Sequence, residues 1–418
     1  MKLLLGFILM CCSTGLAQNQ ILQFELEGNR KTDTSLIQKI SEIEVGQPLD
    51  SVVLDRDIAR LERQPAIASA TYAVTPLESQ GYRVVYTIEE NFTLIPTLNV
   101  FTSNAGEFAF RAGLYEFNLF GQHIAFGGFF QRDDFNAWGL NFRAPYLFGK
   151  QTGLAINVQD FSTLEPVFLP SGTANYKYNN KSLEVLGLYE WNSKHRVEIG
   201  LSLFQEAYDY ISGATDPGIP QQLEVDKYLL KTVYDYDALD YHFYFVDGFR
   251  SLFNFQYVRA EGDQLPSFLI ARNDLLWYKR VGTRGNWANR LRLGIASNDD
   301  SPFAPFSVDN QLNIRGVGNT IDRGTAALVL NTEYRYTLYE KNWFVLQSNI
   351  FVDAGTWRNP GGDLASDFSD VQNLRIYPGV GIRFIHKRIF NAIFRIDYGY
   401  GITEDATRGV VFGIGQYF

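Results

Sequence analysis

From Leu94 to Phe418 the chain alternates apolar and polar residues with a period of two, and little else so narrows what it can fold into. In RVEIGLSLF (196–204), Val197, Ile199, Leu201 and Leu203 fall on one face of a strand, and Glu198, Gly200 and Ser202 on the other. In ALVLNTEYRY (327–336), Leu328, Leu330, Thr332, Tyr334 and Tyr336 oppose Asn331, Glu333 and Arg335. A soluble sandwich would turn the apolar face inward; a closed barrel in lipid turns it outward around a wet lumen.

The runs occupy about 94–102, 107–118, 121–132, 135–144, 151–160, 180–191, 194–208, 222–237, 240–257, 268–281, 286–298, 326–339, 343–356, 374–386, 389–400 and 409–418. These are sixteen strands, an even number, as a closed antiparallel barrel requires. Tight connections (Phe120-Gly121, Asn192-Ser193, Lys341-Asn342, Lys387-Arg388) follow long ones (161–179, 209–221, 299–325, 357–373). One rim of short turns and one of long loops is the usual barrel arrangement. Aromatics make up 15% of the chain, with 24 Tyr and 33 Phe, which suits half-buried strands. No later stretch is apolar for long enough to cross a bilayer as a helix. The last strand closes on RGVVFGIGQYF, and Val410, Phe412, Ile414 and Phe418 are expected to point outward. A terminal aromatic after alternating apolar residues resembles the insertion signal of bacterial outer-membrane barrels, with Gln416 departing from its usual pattern.

The residues before this barrel read differently. MKLLLGFILMCCSTGLA (1–17) has Lys2, an apolar run and small residues at Gly15 and Ala17, the pattern of a secretory signal cleaved after Ala17. Both cysteines, Cys11 and Cys12, lie within it, so no disulfide or thiolate site is expected in the exported chain. Residues 18–92 give strand, helix, helix, strand, strand. Leu22, Phe24 and Leu26 share a face; Leu36, Ile37, Ile40 and Ile43 form a helical stripe capped by Ser35/Gln38; Leu54, Ile58 and Leu61 form a second. Strands at 68–74 and 82–90 complete a small α+β domain. With Gly28-Asn29, Gly46-x-Pro48-Leu49 and a closing Ile88-Glu89-Glu90, it resembles the polypeptide-transport-associated (POTRA) domain. That resemblance implies a periplasmic location and capture of unfolded client chains by strand addition to a sheet edge. A rigid spacer is the alternative.

One stretch interrupts the alternation longest, and in its middle stands NIRGVGN (313–319). Ile314-Arg315-Gly316-Val317 falls in the sixth far-side loop, and Phe351-Val352-Asp353-Ala354-Gly355 falls on the thirteenth strand. Phe351, Asp353 and Gly355 share the parity of Gln347 and Asn349, which aims Asp353 into the lumen. Glu333 on the preceding strand points the same way. A sixteen-stranded barrel behind one POTRA domain, with these two motifs, resembles the BamA/TamA superfamily of outer-membrane assembly and secretion proteins. Val317 stands where that family has an aromatic. The resemblance implies that Arg315 folds into the lumen against Asp353, with Glu333 as a second candidate partner, anchoring the loop. The bland readings are a solvated loop arginine, a simple D-x-G turn and an ordinary lumen carboxylate.

Chemistry of other kinds is not legible. His123, His195, His242 and His386 are scattered without metal-ligand spacing and suit solvated or interfacial positions; no metal or cofactor site is expected. The acidic pairs Asp133-Asp134 and Asp299-Asp300 read as solvated. There is no G-x-S-x-G elbow and no glycine-rich phosphate loop, so an enzyme is not expected. A net charge of -9 without basic blocks argues against nucleic acid. The expected partners are outer-membrane lipid, unfolded client polypeptides and accessory proteins. Two functions remain open: a barrel that inserts or translocates clients, with a single POTRA domain favouring an accessory or dedicated role, or a passive channel with a periplasmic dock.

Overall fold

The computed structural model describes residues 20–418 apart from 79–80, 103–107, 170, 243, 262–265, 309–312, 318–321, 388, 390–391 and 405. The proposed signal segment lies outside the described residues.

The amino-terminal unit comprises β1 (Gln20–Glu27), α1 (Thr34–Ile40), α2 (Ser51–Glu62), β2 (Ile67–Leu77) and β3 (Gly81–Glu90). Its sheet has the order β1-β3-β2, with β1 parallel and β2 antiparallel to β3. Ile21, Leu36, Ile37, Ile40, Leu54 and Leu61 form its core with Val84 and Tyr86. Two local details differ from the sequence reading. A register shift between Ile21 and Gln23 turns Ile21 into the core and leaves Leu22 exposed, since one extra residue in a strand reverses its parity. The cap of α1 is Asp33, which accepts from the Ser35 amide, rather than a Ser35/Gln38 box.

Sixteen strands then form one antiparallel sheet. The first eight are β4 (Leu94–Thr102), β5 (Phe108–Leu119), β6 (Ile124–Arg132), β7 (Asn136–Ala144), β8 (Thr152–Leu169), β9 (Gly172–Asn192), β10 (His195–Gly213) and β11 (Gln222–His242). After β12 (Phe245–Ala260), β13 (Phe268–Val281) and β14 (Gly285–Ala296), a loop carries the short hairpin β15 (Phe306–Val308) and β16 (Asp322–Gly324). β17 (Ala326–Lys341), β18 (Phe344–Arg358), β19 (Leu374–His386), β20 (Ile393–Tyr400) and β21 (Arg408–Ile414) complete the wall. Each strand pairs with its neighbour in chain order, and β14 pairs with β17 across the loop.

The faces follow parity. Ile199, Leu201 and Leu203 are exposed on the outside while Ser202 is buried; Leu330 and Tyr336 are exposed while Asn331, Glu333 and Arg335 are buried. Trp138, Trp191, Trp277, Trp287 and Trp343 also face outward, as amphipathic rings do where a barrel meets the lipid boundary.

The sequence reading departs from the structure at both ends of the wall. Residues 161–179, read as a loop, are mostly strand: β8 and β9 continue to a tight turn, with Leu169 opposite Gly172. Here the inward face turns apolar: Val167, Leu169, Ala174 and Tyr176 are buried together, with Tyr208, Ile219 and Phe303 packed on them, so the apolar-out, polar-in alternation that marks the rest of the wall is lost. β10 likewise extends through 209–213. The final strand stops at Ile414, because Gly415 adopts φ +94° and turns the tail inward. No hydrogen-bonded ladder joins β21 to β4 among the described residues, although the two strands lie side by side and the barrel is nearly closed. Pro96 in β4 has no amide to donate, as befits an edge strand.

The amino-terminal unit seats on the rim where β9, β11 and β21 end. Arg63 donates to the carbonyls of Ser193, Asp237 and Leu239, and Arg60 lies 3.4 Å from Glu190. Tyr146, from the β7–β8 turn, inserts into its core and accepts from Gln64 at 3.0 Å. Asp33 donates its amide to Gly121 at 3.0 Å on the β5–β6 turn. That turn holds His123, buried at this interface, with neither ring nitrogen hydrogen-bonded among the described residues.

Candidate functional site: a lumen anchor for the long loop

The loop between β14 and β17 descends from the far rim into the lumen. Ile314, Arg315 and Val317 have no exposed surface. The Arg315 backbone amide donates to Asp353 Oδ2 at 2.9 Å, its Nε to the same oxygen at 2.8 Å, and its Nη2 to Asp353 Oδ1 at 2.9 Å. Nη1 donates to Glu333 Oε2 at 2.6 Å, and Asp397 Oδ2 lies 3.7 Å away. The guanidinium stacks 3.6 Å from the centre of the Phe351 ring. Fork-to-fork geometry, a second carboxylate and an aromatic face together satisfy a cation that burial alone would penalise heavily.

Register explains the convergence. Asp353 lies opposite Asn331, and Phe351 opposite Glu333, so the motif of β18 and the inward face of β17 form one surface. Glycines admit the loop to it. A Cβ on Gly355 would stand 2.9 Å from Ile314 Cδ1, and one on Gly379 would meet the Phe351 ring at 2.1 Å. Gly316, at φ +94°, packs backbone to backbone on Gly399 of β20; a Cβ on Gly399 would fall 2.1 Å from the Arg315 carbonyl oxygen. Ile314 and Val317 pack with Val308, Val329, Trp357 and Tyr377. Thr407 donates to the Val317 carbonyl at 2.8 Å, and Asn331 to that of Asn313 at 2.7 Å.

Sequence reasoning missed most of the surrounding ions. Glu333 also accepts from Arg383 at 2.9 and 3.0 Å and from Arg335. Arg395 donates to Asp397 at 3.2 Å. A signal existed: Glu333/Arg335 and Arg395/Asp397 are charged pairs two residues apart, hence on one inward face. At the carboxyl end, Phe412 faces outward, whereas Ile414 is half-buried. Phe418 is a correction. It lies inside, against the cluster of Leu239, Tyr278 and Ala288, because the turn at Gly415 breaks the parity that would have aimed it at lipid. Asp133 is also buried, capping its turn through the Phe135 amide, while Asp299 and Asp300 are exposed.

A family model of the Omp85 superfamily domain matches residues 118–418, which is most of the chain and nearly the whole barrel. The chain belongs to the Omp85 superfamily. The solved structures similar to this Omp85 chain include BamA from Haemophilus ducreyi lacking POTRA domains 1–3, at 15% identity and TM-score 0.57, covering 94% of this chain and 83% of that one. CdiB from Acinetobacter baumannii is 13% identical with TM-score 0.59, covering 95% and 73%. CdiB from Escherichia coli is 12% identical with TM-score 0.63, covering 95% and 76%. At these identities the likeness is one of fold. No curated protein matches the chain.

Proposed function

We propose that this Omp85 barrel resides in the outer membrane of a Gram-negative bacterium and assists insertion or translocation of client polypeptides, in an accessory or dedicated role. The observation that carries this reading is the long loop pinned inside the lumen by Arg315 and Asp353 in a wall whose first and last strands are unpaired. A static pore has no need of a seam without a hydrogen-bonded ladder. An edge without ladder bonds offers unpaired backbone groups to an incoming strand. The amino-terminal unit is the POTRA domain of this scheme. β2 is an edge strand of its sheet, and in this scheme its outer edge is the periplasmic capture edge. Membership in a superfamily whose structural neighbours include BamA and CdiB agrees with insertion or secretion.

One observation favours the passive-channel reading. A chamber of about 1060 Å³ lies against β8–β13, lined by Glu184, Glu206, Lys227, Lys231, Tyr178 and Tyr208. Depleting the protein separates the two. A fall in particular outer-membrane or surface proteins supports client handling, and unchanged levels with altered solute uptake support a channel.

A further inference from the structure

The chamber against β8–β13 has two unlike walls. Cross-strand register sets Asn141, Asn157, Glu184 and Ser202 in one inward row over β7–β10. The same row continues over β11–β13 as Leu229, Val258 and Phe268. In the polar half, Asn141 donates to Asn157 at 2.8 Å and Asn157 to Glu184 at 2.9 Å, and Lys231 closes the chain on Glu184 at 3.0 Å. An amide carries two protons on nitrogen and two lone pairs on oxygen, so this chain keeps hydrogen-bonding capacity for the chamber. In the apolar half Phe268 is only half-buried, and so is Phe204 in the next row toward the far rim. Ring surface left partly wet in a lumen is unfavourable until something covers it.

The chamber's charges cancel. Lys231 pairs with Glu184, Lys227 with Glu206 and Arg323 with Glu165, while Asp299 and Asp300 stand exposed at its far end. A charged ligand would compete with pairs already made. A purely apolar one would strip the amides of water and return no hydrogen bonds. An extended peptide is held by a free strand edge, and β7 to β13 each lie between two hydrogen-bonded neighbours. A neutral sugar answers to both walls, its hydroxyl groups meeting the amides and its C–H face covering a ring. Phe303 of the long loop caps the space, its ring centre 4.2 Å from that of Tyr208, and the volume of about 1060 Å³ takes a short oligosaccharide. The barrel wall separates this space from lipid, so the sugar is a soluble one rather than the headgroup of a membrane-anchored glycolipid.

We propose that the chamber is a binding site for a neutral oligosaccharide, with Asn157 and Glu184 holding hydroxyl groups and Phe204 and Phe268 serving as stacking platforms. The proposal concerns binding, and it does not depend on whether the barrel handles clients or conducts solutes.

Calorimetry on the purified full chain, in a detergent without a sugar headgroup, tests it. The probes are neutral tetrasaccharides of glucose, galactose, mannose and N-acetylglucosamine, with tetragalacturonate as a charged sugar and acetyl-tetra-alanine amide as a peptide. At least one neutral tetrasaccharide saturates the protein, and the charged sugar and the peptide do not. Asn157→Leu and Phe268→Ala each weaken that binding about tenfold, the equivalent of one hydrogen bond or one covered ring. Saturation by no neutral sugar, tighter binding of the charged sugar or the peptide, or folded variants that bind like the parent, overturns the proposal. Should either variant fail to fold, Ser182→Cys in a Cys11→Ser/Cys12→Ser background reads the same chamber. The bound tetrasaccharide slows its maleimide labelling and the peptide does not; labelling indifferent to the sugar overturns the proposal. Neither assay involves transport, so depletion results bear on the client reading separately.

Discussion

Arg315 and Asp353 meet through two parallel bonds, Nε to Oδ2 at 2.8 Å and Nη2 to Oδ1 at 2.9 Å, with both side chains fully shielded from solvent. Removing one partner therefore strands the other in a dry site. Arg315→Glu is expected to destabilise the barrel by about 3–5 kcal/mol, the cost of breaking a buried pair. Asp353→Arg in the same chain should restore part of it. Urea unfolding in detergent, followed by the loss of heat-modifiable migration, measures both.

The backbone contact between Gly316 and Gly399 gives a second expectation. Gly399→Ala puts a methyl group against the Arg315 carbonyl, where only backbone movement can make room. Overpacking of this kind costs about 1–3 kcal/mol. The loop should become a protease site in the variant and resist cleavage in the parent, as limited proteolysis followed by mass analysis would show.

Acidification should loosen the seat of the amino-terminal unit. Burial lowers the His123 pKa from 6.5 to about 4, against a smaller opposing pull from Glu90. An imidazole held neutral when folded takes up its proton on opening. The stabilisation it contributes is whole above about pH 6.5, falls as pH drops toward 4, and amounts to at most about 3 kcal/mol. His123→Phe should flatten that dependence. Stability measured at pH 7 and pH 5 for both proteins tests it, and parallel losses in the two would remove His123 as the cause.

Arg63 bolts α2 to the rim through the carbonyls of Asp237 and Leu239, at 3.3 and 3.0 Å, and that of Ser193. Arg63→Ala leaves carbonyls that water can reach, so a modest loss of about 1–3 kcal/mol in docking is expected, without harm to the barrel. Spin labels on β2 and on the β9–β10 turn should report a broadened distance distribution.

Much of this architecture was legible because lipid outside and water inside impose parity on every residue of the wall. All sixteen strands follow from it, and so does the convergence of Asp353 and Glu333 on one inward surface. Legibility ends where that environment ends. Leu164 to Leu169 and Gly172 to Tyr178 are strand residues whose inward face is apolar and packed, with Val167, Leu169, Ala174 and Tyr176 in one cluster, so the polar inner parity that marks the other strands is missing. The turn at Gly415 depends on one backbone angle, and it sends Phe418 to the opposite side of the wall. Arg383 joins Glu333 from 50 residues away, a partnership set by strand order rather than local spacing.

The central claim is that the long loop lies packed inside the barrel and is held there by Arg315. Thiol labelling at Val317, which is fully buried, tests this most directly. In a Cys11→Ser/Cys12→Ser background, Val317→Cys should resist a water-soluble maleimide while an Asp299→Cys control on the exposed part of the loop reacts promptly. Adding Arg315→Ala should bring the two rates together. Prompt labelling of Val317→Cys with Arg315 intact would contradict the account.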